Sequence, residues 1–286
     1  MAAPKKSLKG YYLTTFLIGL GFFTVGLMDP LYDTFVPVFL LRYIQSHALV
    51  GAIMTLDNVL AVFLIPFFSS LSDRLHTPIG RRMPFIVICL PVTALAFGLI
   101  PYAALAHLYA LVALLFLLNL FKQAARGPIV ALMPDMVPGD LRSEANGVIN
   151  TMGGIAAIVG TIGLARLMDV PVKVLAFPVA GIFVVVACIL LFLFVKERDG
   201  KGDGNEEESH EPLLHSISVI FHEKDKSALF ILLSLFLWFL AYQGILPFIG
   251  AYSIHELGTS GGSASLAAGM VGIAYAVFAI PSGRFA

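Results

Sequence analysis

The sequence predicts an all-α, polytopic membrane protein, and three observations carry that expectation. Of 286 residues, 58% are hydrophobic, and mean hydropathy is +0.90. The apolar residues gather into stretches close to or above the roughly 20 residues a helix needs to cross ~30 Å of hydrocarbon. The lysines and arginines of the connecting segments fall mostly on one side of the membrane.

Eight spans follow, at about 11–41, 50–71, 84–104, 108–133, 143–166, 172–195, 228–256 and 264–286. The first is long for a single crossing, and Pro30 and Pro37 are expected to bend or break it, which is tolerated where a helix lines a cavity. With the N-terminus cytoplasmic, that side collects Lys5, Lys6, Lys9, Arg74, Arg81, Arg82, Arg142, Lys196, Arg198, Lys201, Lys224, Lys226 and Arg284. The other side holds Arg42, Arg166 and Lys173, so the positive-inside rule places the N-terminus inside. The glycines of span five (147, 153, 154, 160 and 163) read as positions of close helix packing.

The sequence divides into a bundle of six spans (1–195), a cytoplasmic linker (196–227) and a final pair of spans (228–286). Residues 197–211 (ERDGKGDGNEEESHE) are charged and lack apolar side chains, the composition of a hinge between two membrane halves. Residues 213–221 (LLHSISVIF) could lie as a short amphipathic helix on the inner face. PFFSSLSDR (66–74) after span two is echoed weakly by PSGRFA (281–286) after span eight. That echo leads to the expectation of a twelve-helix protein whose last four helices lie beyond residue 286.

Composition also sets bounds. Formal net charge is zero, which gives no bulk attraction to nucleic acid. Cys89 and Cys188 fall in apolar runs and read as small buried hydrophobes. The first apolar run is too long for a signal peptide and has no small-residue cleavage site. The seven histidines show no metal-ligand spacing. No nucleophile–base pair, phosphate loop or metal cluster appears, so neither an enzyme nor a cofactor is expected, and the expected state is a monomer in the lipid bilayer.

Five charges lie well inside the spans, away from their ends: Asp29 and Asp33 in the first, Asp57 in the second, Lys122 and Arg126 in the fourth. A charge at bilayer depth costs at least about 2.5–3.5 kcal/mol on insertion scales and normally faces a water-filled cavity or a partner. Five of them argue for a polar pathway, hence a transporter. In the loop after span two, SLSDRLHTPIGRRMPF (70–85), Asp73, Arg74, Arg81 and Arg82 surround Gly80, a residue suited to a tight turn. Acid and base at an inter-helix loop form a latch that can break and remake as helices rock.

That loop resembles the signature of the major facilitator superfamily, G-x-L-x-D-R-x-G-R-R. Ser69 stands in place of the first glycine, and five residues rather than one separate Arg74 from Gly80. The lengthened form is similar to that of the sucrose:proton symporters, near the glycoside–pentoside–hexuronide cation symporters. NLFKQAARGPIVALMPDMVPGDLRSEANGVINTMGG (119–154) looks like the same group in its Asn and Gln then Arg, its Asp-x-x-Pro loop and its Arg-x-x-Ala-Asn helix start.

The resemblance implies inverted 3+3 repeats in which spans one and four both line a central cavity. Asp29 and Asp33 are spaced i, i+4, as are Lys122 and Arg126, so the two charged faces are expected to meet there. Three acids against two bases leave one acid over. A carboxylate without a partner in a low-dielectric site can load and release a proton near neutral pH. Asp57 is the choice for that role, since the other two acids share a helix face; a direct Asp57–Arg126 pair is not expected, because Arg126 lies nearer the inner face.

The resemblance also implies a sugar or glycoside, such as sucrose or maltose, as substrate. Asn58, Asn119, Gln123, Asn146, Asn150, Trp238, Tyr242 and Gln243 are its candidate contacts, since sugars need hydrogen-bonding groups around their hydroxyls and aromatic rings against their C–H faces. The sodium-coupled branch carries two carboxylates a turn apart on span two. Here Asp57 is followed by Asn58, and position 61 is Ala, which favours protons over sodium. Proton-driven efflux of a small amphiphile, or a non-transporting sensor or scaffold on the same fold, are the alternative readings.

Overall fold

The computed structural model describes residues 8–168, 175–197 and 225–260, with scattered positions between 262 and 278. The described part is helical and contains no strand. After a 3₁₀ turn at Leu8–Gly10 come α1 (Tyr12–Leu41), α2 (His47–Arg74), α3 (Met83–Ala106), α4 (Leu108–Met136), α5 (Arg142–Ile158), α6 (Ala176–Phe194) and α7 (Ser227–His255). Six helical segments, α1 to α4, Gly139–Met168 and α6, are long and apolar enough to cross a membrane. The start of α7, Ser227–Tyr242, is a shorter apolar stretch within a 29-residue helix. Most of the linker (198–224), including the 213–221 segment, lies outside the described residues, as do the PSGRFA segment, Lys5, Lys6 and Lys173.

α1 runs unbroken through Pro30 and Pro37. Each proline removes a backbone N–H and so releases the carbonyl four residues earlier, at Gly26 and Asp33. α5 departs from the simple span predicted for 143–166: it passes into a π-helical turn at Val159–Leu164 and a 3₁₀ turn at Ala165–Met168. The Thr161 hydroxyl donates back to the Ala157 carbonyl there at 2.8 Å, which offers the backbone an alternative to the regular ladder.

The helices pack in pairs that are related by exchanging α1–α3 with α4–α6. α1 packs along α5 as α4 packs along α2; α3 packs on α4 as α6 packs on α1; α3 meets α6, and α1 meets α4. This is the pairing that inverted three-helix repeats produce. Phe177 of α6 sits among Phe35 and Phe39 of α1 and Phe97 of α3, with ring centroids 4.8–6.4 Å apart. Along the α1–α5 seam, a Cβ at Gly160 would stand 2.9 Å from the Leu27 carbonyl oxygen, and one at Gly26 would strike the Gly153 backbone. Small residues there let two backbones approach, as packing between helices in lipid requires. Gly163 has no such neighbour. α7 lies against α1, with Gly250 opposite Thr34 and the Phe248 ring near Gly51 of α2.

Candidate functional site

Near the middle of α1, α2 and α4, polar side chains meet in the apolar bundle. Lys122 of α4 is 6% exposed and donates to Asp29 Oδ1 of α1 at 2.5 Å. Its ammonium also stands 5.5 Å from the centroid of the Tyr32 ring. One helical turn before Lys122, Asn119 Nδ2 donates to the Tyr32 hydroxyl at 3.0 Å. Beside Lys122, Gln123 Nε2 donates to the Asp57 backbone carbonyl of α2 at 3.4 Å. The three helices are thus tied through side chains spaced one turn apart on α4.

The same group contains buried oxygens with no hydrogen-bond partner: Asp57 Oδ1, Asn119 Oδ1 and Gln123 Oε1. Buried polar atoms in folded proteins are almost always paired, so three orphans around one ion pair single this place out as the candidate site. Asp33 is half-buried on α1 and makes no ion pair among the described residues; the same holds for Asp57. Of the five charges predicted to share this region, the structure pairs Asp29 with Lys122 alone. Arg126 is exposed, and it pairs with neither Asp57 nor the acids of α1. It lies about 6 Å further along α4 than Lys122.

A second charged group closes one end of the bundle. Gly80 adopts φ +107°, the left-handed region that a side chain would strain, and its carbonyl accepts from the Thr77 hydroxyl at 2.5 Å. The turn delivers Arg82, 5% exposed, into an acid-lined pocket. Arg82 pairs with Asp73, donates through Nε to Asp135 Oδ2 at 3.0 Å, and reaches the Ser72 hydroxyl at 2.5 Å and the Ser69 carbonyl at 3.3 Å. Arg81 holds the other Asp135 oxygen at 2.9 Å. Glu197, beyond α6, accepts from the backbone N–H groups of Arg82 (2.8 Å) and Met83 (3.3 Å), an anion seated on the positive N-terminal end of α3. Arg74, predicted to belong here, is exposed without an ion pair; its carbonyl is 3.2 Å from His76 Nδ1.

A charged cluster between helix ends and a polar centre at mid-bundle, built on paired three-helix units, narrow the choice of family, and sequence comparison decides it. The family model of the Major Facilitator Superfamily matches residues 12–286.

The chain belongs to the major facilitator superfamily.

A comparison with curated proteins found no match. Membership makes the chain a multi-pass membrane transporter of the major facilitator superfamily.

The remaining predicted contacts fall unevenly in this major facilitator fold. Asn58 is exposed on α2; Asn146 is exposed one turn into α5, and Asn150 is half-buried one turn further on. None of the three side chains makes a hydrogen bond among the described residues. Trp238 is 60% exposed and stacks on Tyr242, with centroids 5.5 Å apart and planes 9° off parallel. The Gln243 side chain lies outside the described residues. Sequence reasoning missed Tyr32, Asp135 and Glu197. Tyr32 could have been found as the aromatic i+3 from Asp29, on the same face of α1. Asp135 lies in the Asp-x-x-Pro loop, to which the motif assigns no partner, and Glu197 opens the charged stretch 197–211 that reads as a hinge.

Proposed function

We propose that this transporter carries a sugar or glycoside together with a proton by alternating access, with the N-terminus in the cytoplasm and the protein in the cell membrane. The observation that carries the reading is Asp57. Its carboxylate has a buried oxygen without a partner, within electrostatic reach of an acid–base pair that is already satisfied. Such a carboxylate has no fixed cation to neutralise it, so a proton is the simplest counter-charge.

On this reading a proton binds Asp57 from outside and removes the repulsion between Asp57 and Asp29. The sugar then binds against Asn119 and Gln123. The halves rock about this centre, and the Arg82 cluster opens and closes as its helix ends separate. Release of sugar and proton inside returns the carrier. Coupling follows because the transition is favourable only with both sites empty or both filled.

The test uses de-energised cells expressing the full reading frame. External pH is recorded on addition of sucrose, maltose or melibiose, with and without sodium. The expected result is alkalinisation by at least one sugar in sodium-free medium. Sugar uptake that needs sodium and moves no protons would remove the proton assignment.

A further inference from the structure

Around the Asp29–Lys122 pair, each amide and ammonium nitrogen already donates at least once, while three buried oxygens accept nothing. Lys122 donates to Asp29 and lies over the Tyr32 ring; Asn119 Nδ2 donates to the Tyr32 hydroxyl; Gln123 Nε2 donates to a backbone carbonyl of α2. The buried atoms left over are the carbonyl oxygens of both amides and one carboxylate oxygen of Asp57. Asn119 and Gln123 are each 1% exposed and stand one turn apart, flanking Lys122 on the same face of α4. The bond from Gln123 to the Asp57 carbonyl fixes which end of that amide is free, because a carbonyl can only accept.

We propose that the site reads its ligand as a hydrogen-bond donor: Asn119 Oδ1 and Gln123 Oε1 each accept from a ligand hydroxyl. This rests on the sugar-symport reading and specifies it. Recognition then depends on the hydroxyl hydrogens of two positions, not on their oxygen lone pairs. The physical reason is asymmetric: a buried acceptor left unpaired is costly, so a ligand that brings a hydrogen relieves a penalty, and one that brings only another acceptor does not.

Fluorine in place of a hydroxyl separates the two cases, because it keeps the size and the lone pairs and lacks the hydrogen. Membrane vesicles from cells expressing the full reading frame would be tested with whichever of sucrose, maltose or melibiose moves protons. Competition by its monodeoxy and monodeoxyfluoro derivatives would then be measured position by position. At two positions both derivatives should compete at least about tenfold less well than the parent, and equally poorly. Gln123→Met should raise the parent's KM and abolish the fluoro penalty at one of those positions. Gln123→Glu, which keeps an acceptor, should retain the penalty.

The wild-type analogue panel stands without any variant, so a poorly folded mutant does not spare the proposal. Fluoro derivatives that compete like the parent where deoxy derivatives fail would show the ligand accepting, and would overturn it. If no sugar moves protons at all, the symport reading falls and takes this inference with it. A sugar that moves protons but shows a flat fluoro panel sinks the inference alone.

Discussion

The two charged regions of this transporter are built on opposite principles. At the end of the bundle, Arg81, Arg82, Asp73, Asp135 and Glu197 each make at least one ion pair or hydrogen bond, and Arg82 makes several. At mid-bundle, five charges yield one pair, and three orphaned oxygens surround it. The densely paired cluster, in which Glu197 Oε1 is the one buried oxygen without a hydrogen bond among the described residues, joins the ends of α2, α3 and α4 to the segment after α6. On the proposed reading it holds them in one arrangement until several bonds break together. The sparsely paired one is where the proposed function puts the ligand and the proton. A charge network in a membrane protein is therefore to be judged by what remains unpaired in it as much as by what is paired.

The largest effects should come from breaking the satisfied cluster. Arg82→Ala leaves Asp73 and Asp135 without their shared partner, and losing one member of a buried pair typically costs about 3–5 kcal/mol. Uptake should fall to background, with a clear drop in Tm in detergent. Arg82→Lys should recover little, because an ammonium cannot reach several acceptors with the guanidinium's fixed fork. Wild-type uptake by Arg82→Ala would refute the latch.

Lys122→Met should behave similarly at mid-bundle, since it strands Asp29. The double variant Asp29→Asn/Lys122→Met should regain stability while remaining inactive. Stability that fails to return would mean that the lysine matters mainly for packing over Tyr32. At the α1–α5 seam, Gly160→Ala should cost about 1–3 kcal/mol by overpacking against the Leu27 carbonyl, whereas Gly163→Ala, where a Cβ would only reach ordinary contact with Val159 at 4.0 Å, should be nearly neutral. Equal melting shifts for the two would argue against close packing at Gly160.

The smallest effect is expected outside the spans. Hydrogen bonds from the Ser227 hydroxyl and backbone N–H hold the Asp225 carboxyl below the usual carboxylate range. A depressed folded-state pKa adds stability above the unfolded value, and that stability is lost as pH falls through the folded one. Asp225→Asn should thus lower Tm slightly at neutral pH, with the gap closing in acid. A gap that widens in acid would reverse the sign.

The helices of the first bundle were legible because apolar length is a direct demand of the bilayer. The turn at Gly80 was legible too, since positive φ favours a residue without Cβ. Less was legible where partners come from distant helices. Nothing local to Glu197 says that it seats on the N-terminus of α3, 114 residues away in sequence. Likewise, the i, i+4 spacing of Lys122 and Arg126 gave a shared face, but not that the first would be buried and the second exposed. The π-helical turn in α5 left no signal that period-based reading could catch.

The central claim concerns Asp57, and Asp57→Asn tests it most directly. Sugar counterflow, which needs only the sugar site and the rocking step, is measured beside accumulation against a gradient. The account predicts that counterflow persists while accumulation is lost. Concentrative uptake left intact in Asp57→Asn would contradict it.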